Sequence, residues 1–402
     1  MQRPGEAEKW YKAALEEIQS LVENGTFELV QLPPGRKAIG SRWVFKVKRN
    51  ADGSIERYKA RRVVAQGFAQ RPGFDYTETF APTPKWAALR AILALAAIKD
   101  LELESVDISS AYLNGELAEE VYIRQPEGFV EKGKDWHWRL LKSLYGLKQA
   151  GRCWHQKLNQ VLEQLGFKRT VCEHSIWVFH REEEQVIVPV FIDDMTIAAK
   201  SKEAIQRVKN DLKKHFKLRD LGPTSFLLGV EVKRDRSTCT LTLSQRQYVL
   251  DLLERFSLAD SNSVTTPMDP SIRLSSAYSP KSQKDIEAMR SVPYLQAVGA
   301  LMYLAVATRP DISYAVGVLA RFSKNPGPLH WKAVKHLFRY LKGTLDYKLT
   351  YSGSAPSSEL FTTFTDADHA GNPDNGRSTS GYVVKMGNGA QSPSKHCCPL
   401  NH

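Results

Sequence analysis

Runs of apolar, β-branched residues alternate with helical periodicities along this chain, and the sharpest contrast lies between residues 186 and 199. Val186-Ile187-Val188-Pro189-Val190-Phe191-Ile192 is a continuous apolar run, Asp193-Asp194 interrupts it, and Met195-Thr196-Ile197-Ala198-Ala199 resumes it. The pattern predicts two strands joined through Asp-Asp, since aspartate is turn chemistry between β-rich runs. A further strand is expected over 101–108, leading into a helical turn that Ser109 or Ser110 could cap. Alternation over 39–47 and 55–65, with Asn50-Ala51-Asp52-Gly53 between, predicts a two-stranded ribbon bent at Asp-Gly. Helices are expected over 6–23 (ended by Asn24-Gly25), 84–98, 152–165 and 202–216. A strand at 136–141 and a turn at Tyr145-Gly146 complete this part. Beyond it come a hairpin over 226–232 and 240–243 and a helix over 245–256. Residues 259–284 are rich in Ser, Pro and Thr and read as a linker. Two or three helices fill 293–341, and 360–386 begins a new α/β unit. The order and spacing fit an α+β chain built on an antiparallel sheet with helices on one face.

Composition narrows the classes. The 402 residues accommodate two or three domains, and 42% hydrophobic content is ample for packed cores. The most apolar helix, around 87–98, carries Arg90 and is too short to span a bilayer. The N-terminus lacks the apolar segment of a secretory signal. Five cysteines, odd in number and without metal spacing, predict reduced thiols and an intracellular protein, cytoplasmic or nuclear. The net charge of +12 suits a polyanionic partner. It is concentrated: from Arg36 to Arg62 ten basic residues face two acids, Asp52 and Glu56. Trp43, Phe45 and Tyr58 interleave with them, favouring a nucleic-acid or nucleotide-phosphate face over a merely solvated one.

Two carboxylates at a hairpin tip resist joint ionisation unless a cation neutralises them, which suits a hard divalent metal. Asp107 closes the 101–108 strand, 193 − 107 = 86 residues before the hairpin acids. An acid at one core strand and two at a neighbouring tip could share a pair of magnesium ions, as in-line phosphoryl transfer requires.

Several motifs then carry a family likeness. They are Arg57-Tyr58-Lys59-Ala60-Arg61, Tyr76-Thr77-Glu78-Thr79-Phe80-Ala81-Pro82 and Lys142-Ser143-Leu144-Tyr145-Gly146-Leu147-Lys148-Gln149, followed by Thr308-Arg309-Pro310-Asp311-Ile312 and Asp366-Ala367-Asp368. With them the chain resembles the reverse transcriptase of copia-type retrotransposons over nearly its whole length. The resemblance implies a right-hand polymerase of fingers, palm and thumb, followed by a truncated RNase H-like α/β segment. Its expected parts are an N-terminal helix (1–24), fingers and palm with the start of the thumb (25–256), a linker with helical thumb or connection (257–355) and the RNase H-like segment (356–402). It implies RNA-directed DNA synthesis, with an RNA template, a DNA primer, their hybrid and dNTPs as partners and two Mg2+ ions (Mn2+ as a substitute) as cofactors. Asp107, Asp193 and Asp194 become the catalytic acids, with the Ile108 carbonyl completing a metal sphere. Lys59, Arg61 and Lys148 become phosphate contacts, Tyr112 a gate against the ribose 2′ hydroxyl, and Tyr145-Gly146 the templating-base turn. The cytoplasmic compartment would be a virus-like particle. Trp43, Trp86 and Trp154 read as core or subdomain contacts.

The chain also departs from the family. Phe191 stands where relatives carry Tyr, and Gly151 replaces a Pro. The segment 59–68 is one residue longer than usual, which turns side chains to the opposite face unless a bulge absorbs it. Asp366 resembles the first acid of an RNase H domain, but the later acids are missing, so RNase H activity is expected to be absent. The residues 396–402 do not resemble the family, whereas plausible codons read one base later do. A frameshift or mispredicted intron is therefore expected, with a poorly ordered or aggregation-prone end. The family's protease, integrase and capsid regions are not in this sequence, so a fragment or a remnant of a polyprotein is expected. The alternative to an active polymerase is a catalytically silent remnant that binds nucleic acid.

Overall fold

The computed structural model describes residues 7–49, 55–181, 184–353, 360–386 and 388–397. The chain forms two units: Met1–Pro84, Glu104–Ile197 and Lys202–Gly222 make the first, and Lys85–Leu103, Ala198–Ser201 and Pro223–His402 the second.

Strands β1 (Phe27–Gln31), β2 (Ser41–Arg49), β3 (Ile55–Ala65), β4 (Glu102–Ile108), β5 (Tyr122–Arg124) and β6 (Trp136–Leu140) come first. They are followed by β7 (Lys168–Arg169), β8 (Ile176–Arg181), β9 (Glu184–Phe191), β10 (Asp194–Ala199) and β11 (Leu218–Pro223). The main sheet has the order β11-β4-β10-β9-β8-β7, so β4 lies directly beside the β9–β10 hairpin. Val186, Val188, Ile197 and Ala198 are fully buried, which explains why the run reads as apolar throughout rather than alternating. The helix Ala150–Gln164 buries Ala150, Cys153, Trp154, Leu158, Val161 and Leu162 at one-face spacing. The helix Lys202–Lys213 buries Lys209 on its apolar face, where the ammonium is paired with Glu104 and Asp220. A buried ammonium is tolerated only with such partners.

Antiparallel β2 and β3 form the expected ribbon; its bend at 50–53 lies outside the described residues. Val44 pairs with Arg62 and Phe45 with Ala60, so Arg61 is left over. A bulge thus absorbs the additional residue, and Val63 to Ala65 keep their face. The ribbon shares a core with β5 and β6, built on Val63, Ala65, Ile123, Trp138, Leu144 and Tyr145.

In the second unit, Val249, Leu301, Leu304, Leu319, Leu337, Phe338 and Leu341 unite the helices Arg246–Arg255, Tyr294–Ala307, Ser313–Ala320 and Pro328–Gly343. Strands β12 (Phe226–Leu227), β13 (Val230–Asp235), β14 (Thr240–Ser244) and β15 (Leu349–Ser352) form one sheet in that order. Strands β16 (Phe361–Ala367), β17 (Thr379–Met386) and β18 (Gly389–Cys397) form another. The Thr308–Ile312 motif locks this unit: Arg309 is buried, pairs with Asp311 and donates to the Thr344 carbonyl at 3.1 Å.

Three expectations are corrected. The turn between β9 and β10 is Ile192-Asp193, and Asp194 already belongs to β10. Neither Ser109 nor Ser110 caps a helix: Ser110 precedes the short 3-10 turn Ala111–Asn114 with φ +53 and no side-chain cap bond. The Ser- and Pro-rich stretch is not a free tether, because Arg339 donates to the Asn262 carbonyl, Lys342 to Ala259 and Ser261, and His336 bonds Thr266. The C-terminal segment pairs with β17 as far as Cys397 and forms the edge of its sheet. A backbone ladder needs no particular side chains; residues 398–402 lie outside the described residues.

Candidate active site

Asp107 is the penultimate residue of β4, and the Ile108 N–H donates to the Asp193 carbonyl at 3.0 Å. One backbone bond therefore ties the Asp107 strand to the hairpin tip. Asp107 and Asp193 are half-buried and Asp194 keeps an exposed face. Partial burial, then the charges of Asp193 and Asp107, push the Asp194 carboxyl from 3.8 up to about 6. Asp193 and Asp107 are thus close enough to Asp194 to oppose its ionisation. Among the described residues, no three His, Cys, Asp or Glu side chains close on a common metal position. The donor set nevertheless suits a hard divalent ion in kind, since it is all oxygen and carries more negative charge than it tolerates unaided.

The tip itself is strained. Ile192 has φ +59, a left-handed conformation that a β-branched residue rarely adopts. Asp193 does not share it, so the turn has the II′ pattern, which normally takes Gly in first place. Behind the tip, the buried Trp154 donates its Nε1–H to the Ile192 carbonyl at 2.7 Å. Trp154 is fixed in turn by Phe216, edge-on at 5.2 Å, and by Gly115, where a Cβ would lie 2.7 Å from the Trp154 nitrogen.

Tyr112 sits on the 3-10 turn that follows Asp107, and its ring centroid is 4.9 Å from that of Tyr145. Burial and then the Asp193 charge raise the Tyr112 phenol, so it remains protonated at neutral pH. Tyr112, Trp154 and Ile192 share a cavity of about 190 Å³ with Thr79 and Ala81. Arg62 lies over the Tyr145 ring, 3.3 Å from its centroid. Gly146 has φ +92, and the Tyr145 carbonyl accepts from the Ala65 N–H at 2.8 Å. A Cβ on Gly146 would lie 2.2 Å from the Ala65 oxygen, and one on Gly67 would lie 2.0 Å from the Gly146 oxygen. Ribbon and turn thus touch backbone to backbone, which only glycine permits.

The structure brings together Asp107, Ile108, Tyr112, Tyr145, Gly146, Asp193 and Asp194. The Lys59 and Arg61 side chains lie outside the described ones. Lys148 is exposed; its backbone N–H donates to Gln70 Oε1 at 2.7 Å. Asp366 belongs to β16, in the other unit, and is exposed. Sequence reasoning missed three residues. Arg62 was hidden by the choice of Arg61 within the same basic run. Trp154 was read as core, although a buried indole N–H calls for an acceptor. Gln149, buried, accepts from Gln70 at 3.0 Å and donates to the Asp75 carbonyl at 2.9 Å, holding the 70–75 loop against the Tyr145 turn.

Crowded carboxylates beside a cationic ribbon and paired tyrosines put the chain in the class of proteins suited to phosphate-bearing polymers. Residues 24–270 match the reverse transcriptase (RNA-dependent DNA polymerase) family. The chain is 43% identical to the Retrovirus-related Pol polyprotein from transposon TNT 1-94 of Nicotiana tabacum, over 97% of this chain and 29% of that protein. It is 39% identical to the Retrovirus-related Pol polyprotein from transposon RE1 of Arabidopsis thaliana, over 94% of this chain and 25% of that one. A transposon Ty5-1 protein of Saccharomyces cerevisiae is 34% identical over 70% of this chain and 89% of its own length. The chain therefore belongs to the reverse transcriptase family, on its copia-type transposon branch, and spans 29% and 25% of the two plant polyproteins. Among the described residues no helix is long and apolar enough to cross a membrane.

Proposed function

We propose that this chain is the polymerase segment of a copia-type Pol polyprotein and extends a DNA primer on an RNA template. The observation that carries the reading is the Ile108–Asp193 backbone bond, which sets Asp107 against the strained acidic tip. In this reading the main sheet is a palm, the β2–β3 ribbon belongs to the fingers, and the helices of the second unit form a thumb or connection. Asp107, Asp193 and the Ile108 carbonyl would hold two Mg2+ ions, or Mn2+, with Asp194 alongside. Bound there, such ions stabilise charge on the attacking and leaving oxygens of an in-line displacement. The primer 3′ oxygen, passing its proton to water, bonds to the α-phosphorus of the dNTP as the bond to the β-phosphate oxygen breaks and pyrophosphate leaves. Tyr112 presents its ring where a ribose 2′ hydroxyl would intrude, and Tyr145-Gly146 backs the templating base. Lys59, Arg61 and Lys148 supply cations for the triphosphate and template.

Primer extension with and without Mg2+ tests the proposal. Extension should require the ion, and Asp193→Asn should abolish it while template binding persists. A silent nucleic-acid-binding remnant is the second reading, favoured by the lack of a closed metal-ligand group among the described residues. Template binding without extension under any divalent ion would select it.

A further inference from the structure

We infer that Trp154 is a positioning residue, which holds the acidic turn in its left-handed conformation by hydrogen-bonding the Ile192 carbonyl. The inference rests on the polymerase reading for its catalytic consequence but not for its structural content. Ile192 at φ +59 places a β-branched side chain where Gly is the ordinary occupant of a II′ turn. Left to local preference, the turn would relax to a negative φ and swing Asp193 away from β4. The buried indole N–H opposes this. Any rotation of the Ile192–Asp193 peptide moves the carbonyl off Nε1 and strands a donor that has no other partner among the described residues. The donor cannot follow the turn, because Phe216 and Gly115 fix the Trp154 ring and backbone.

The device reaches the chemistry through one further link. The Asp193 carbonyl, next along the chain, accepts from the Ile108 N–H, so the turn geometry also sets the register between the hairpin tip and the Asp107 strand. A residue that merely filled the core would need its ring but not its N–H. Trp154 is distinguished by using both.

The test separates ring from N–H. Benzothienylalanine at position 154 keeps the shape and replaces N–H by sulfur; Trp154→Phe is the genetically simple counterpart. Amide exchange at Ile108 is expected to quicken by at least about tenfold in both, with the rest of the sheet protected as before. Adding Ile192→Gly, which tolerates positive φ unaided, should restore slow exchange. In primer extension, kcat should fall about tenfold with the dNTP KM within about twofold, and Ile192→Gly should recover it. Unchanged Ile108 exchange in the benzothienylalanine protein overturns the inference, as does failure of Ile192→Gly to rescue either variant. Should the unmodified chain extend no primer, the polymerase reading fails, while the exchange result still decides the role of Trp154.

Discussion

Replacing Gly146 by Ala tests whether the ribbon and the Tyr145-Gly146 turn meet backbone to backbone. Two separable costs follow. At φ +92 an L-residue is strained, which costs about 1–2 kcal/mol. The new Cβ would also stand 2.2 Å from the Ala65 oxygen and 2.6 Å from Val64 Cγ1. The first is backbone, held by the β2–β3 pairing, and cannot swing aside. The strands must part, which weakens the 2.8 Å Ala65–Tyr145 bond at a further cost of about 0.5–1.5 kcal/mol, besides lost packing. Gly73→Ala is the control: its φ is +79 but nothing lies within 4 Å of a Cβ there, so only the conformational cost applies. Gly146→Ala should therefore destabilise by about 3 kcal/mol or more and Gly73→Ala by about 1–2 kcal/mol. At about 2–4 °C per kcal/mol, calorimetry should show Tm falls of about 6–12 °C and about 2–8 °C. Equal falls in the two variants would refute the close approach. A Gly146→Ala protein melting with the unmodified chain would refute the turn geometry altogether.

Other expectations follow from single side chains. Tyr112→Val should raise the ratio of ribonucleotide to deoxyribonucleotide incorporation by roughly tenfold or more in single-turnover extension; an unchanged ratio returns Tyr112 to core packing. Burial first, then the charges of Arg169, His174 and Arg152, lower His155 from 6.5 to about 4. The fold therefore binds the neutral ring. Its contribution is complete above pH 6.5 and is lost as pH falls from 6.5 toward 4, where the unfolded chain takes up the proton. Denaturant titrations across that window should show an acid-side decline that His155→Gln reduces; an identical decline would exclude His155 as its source.

What the sequence disclosed depended on the range of the interaction. The β9–β10 hairpin, the β2–β3 ribbon and the Ala150–Gln164 helix were legible because each is a local periodicity supported by burial on one face. The turn was misplaced by one residue for an equally local reason. Asp-Asp is better turn chemistry than Ile-Asp, and no propensity assigns a left-handed φ to isoleucine. Only a distant donor makes Ile192 stay there, and Trp154 is 192 − 154 = 38 residues away. The serine cap failed similarly, since Ser110 takes φ +53 where a cap would be extended. The extra residue beside Arg61 was visible as a count, and its outcome was open between an inverted strand and a bulge. The fixed partners of Val63 and Ala65 in the buried core chose the bulge.

The neighbourhood of Asp107 and the hairpin acids was of another kind. None of the 85 intervening residues encodes it locally; the chemistry of the acids and the likeness to a family suggested it before the strand order placed β4 beside β10. Yet likeness alone could not show how the pair is held. The tip is an energetically unfavourable turn, kept by one indole N–H from behind and one amide from β4 in front. Strain of this sort persists only where the surroundings over-determine it. Here the surroundings are a helix and a strand that each bond one of two adjacent peptide groups. A substitution that spares every carboxylate but frees either peptide should therefore act on the acids as surely as replacing one of them.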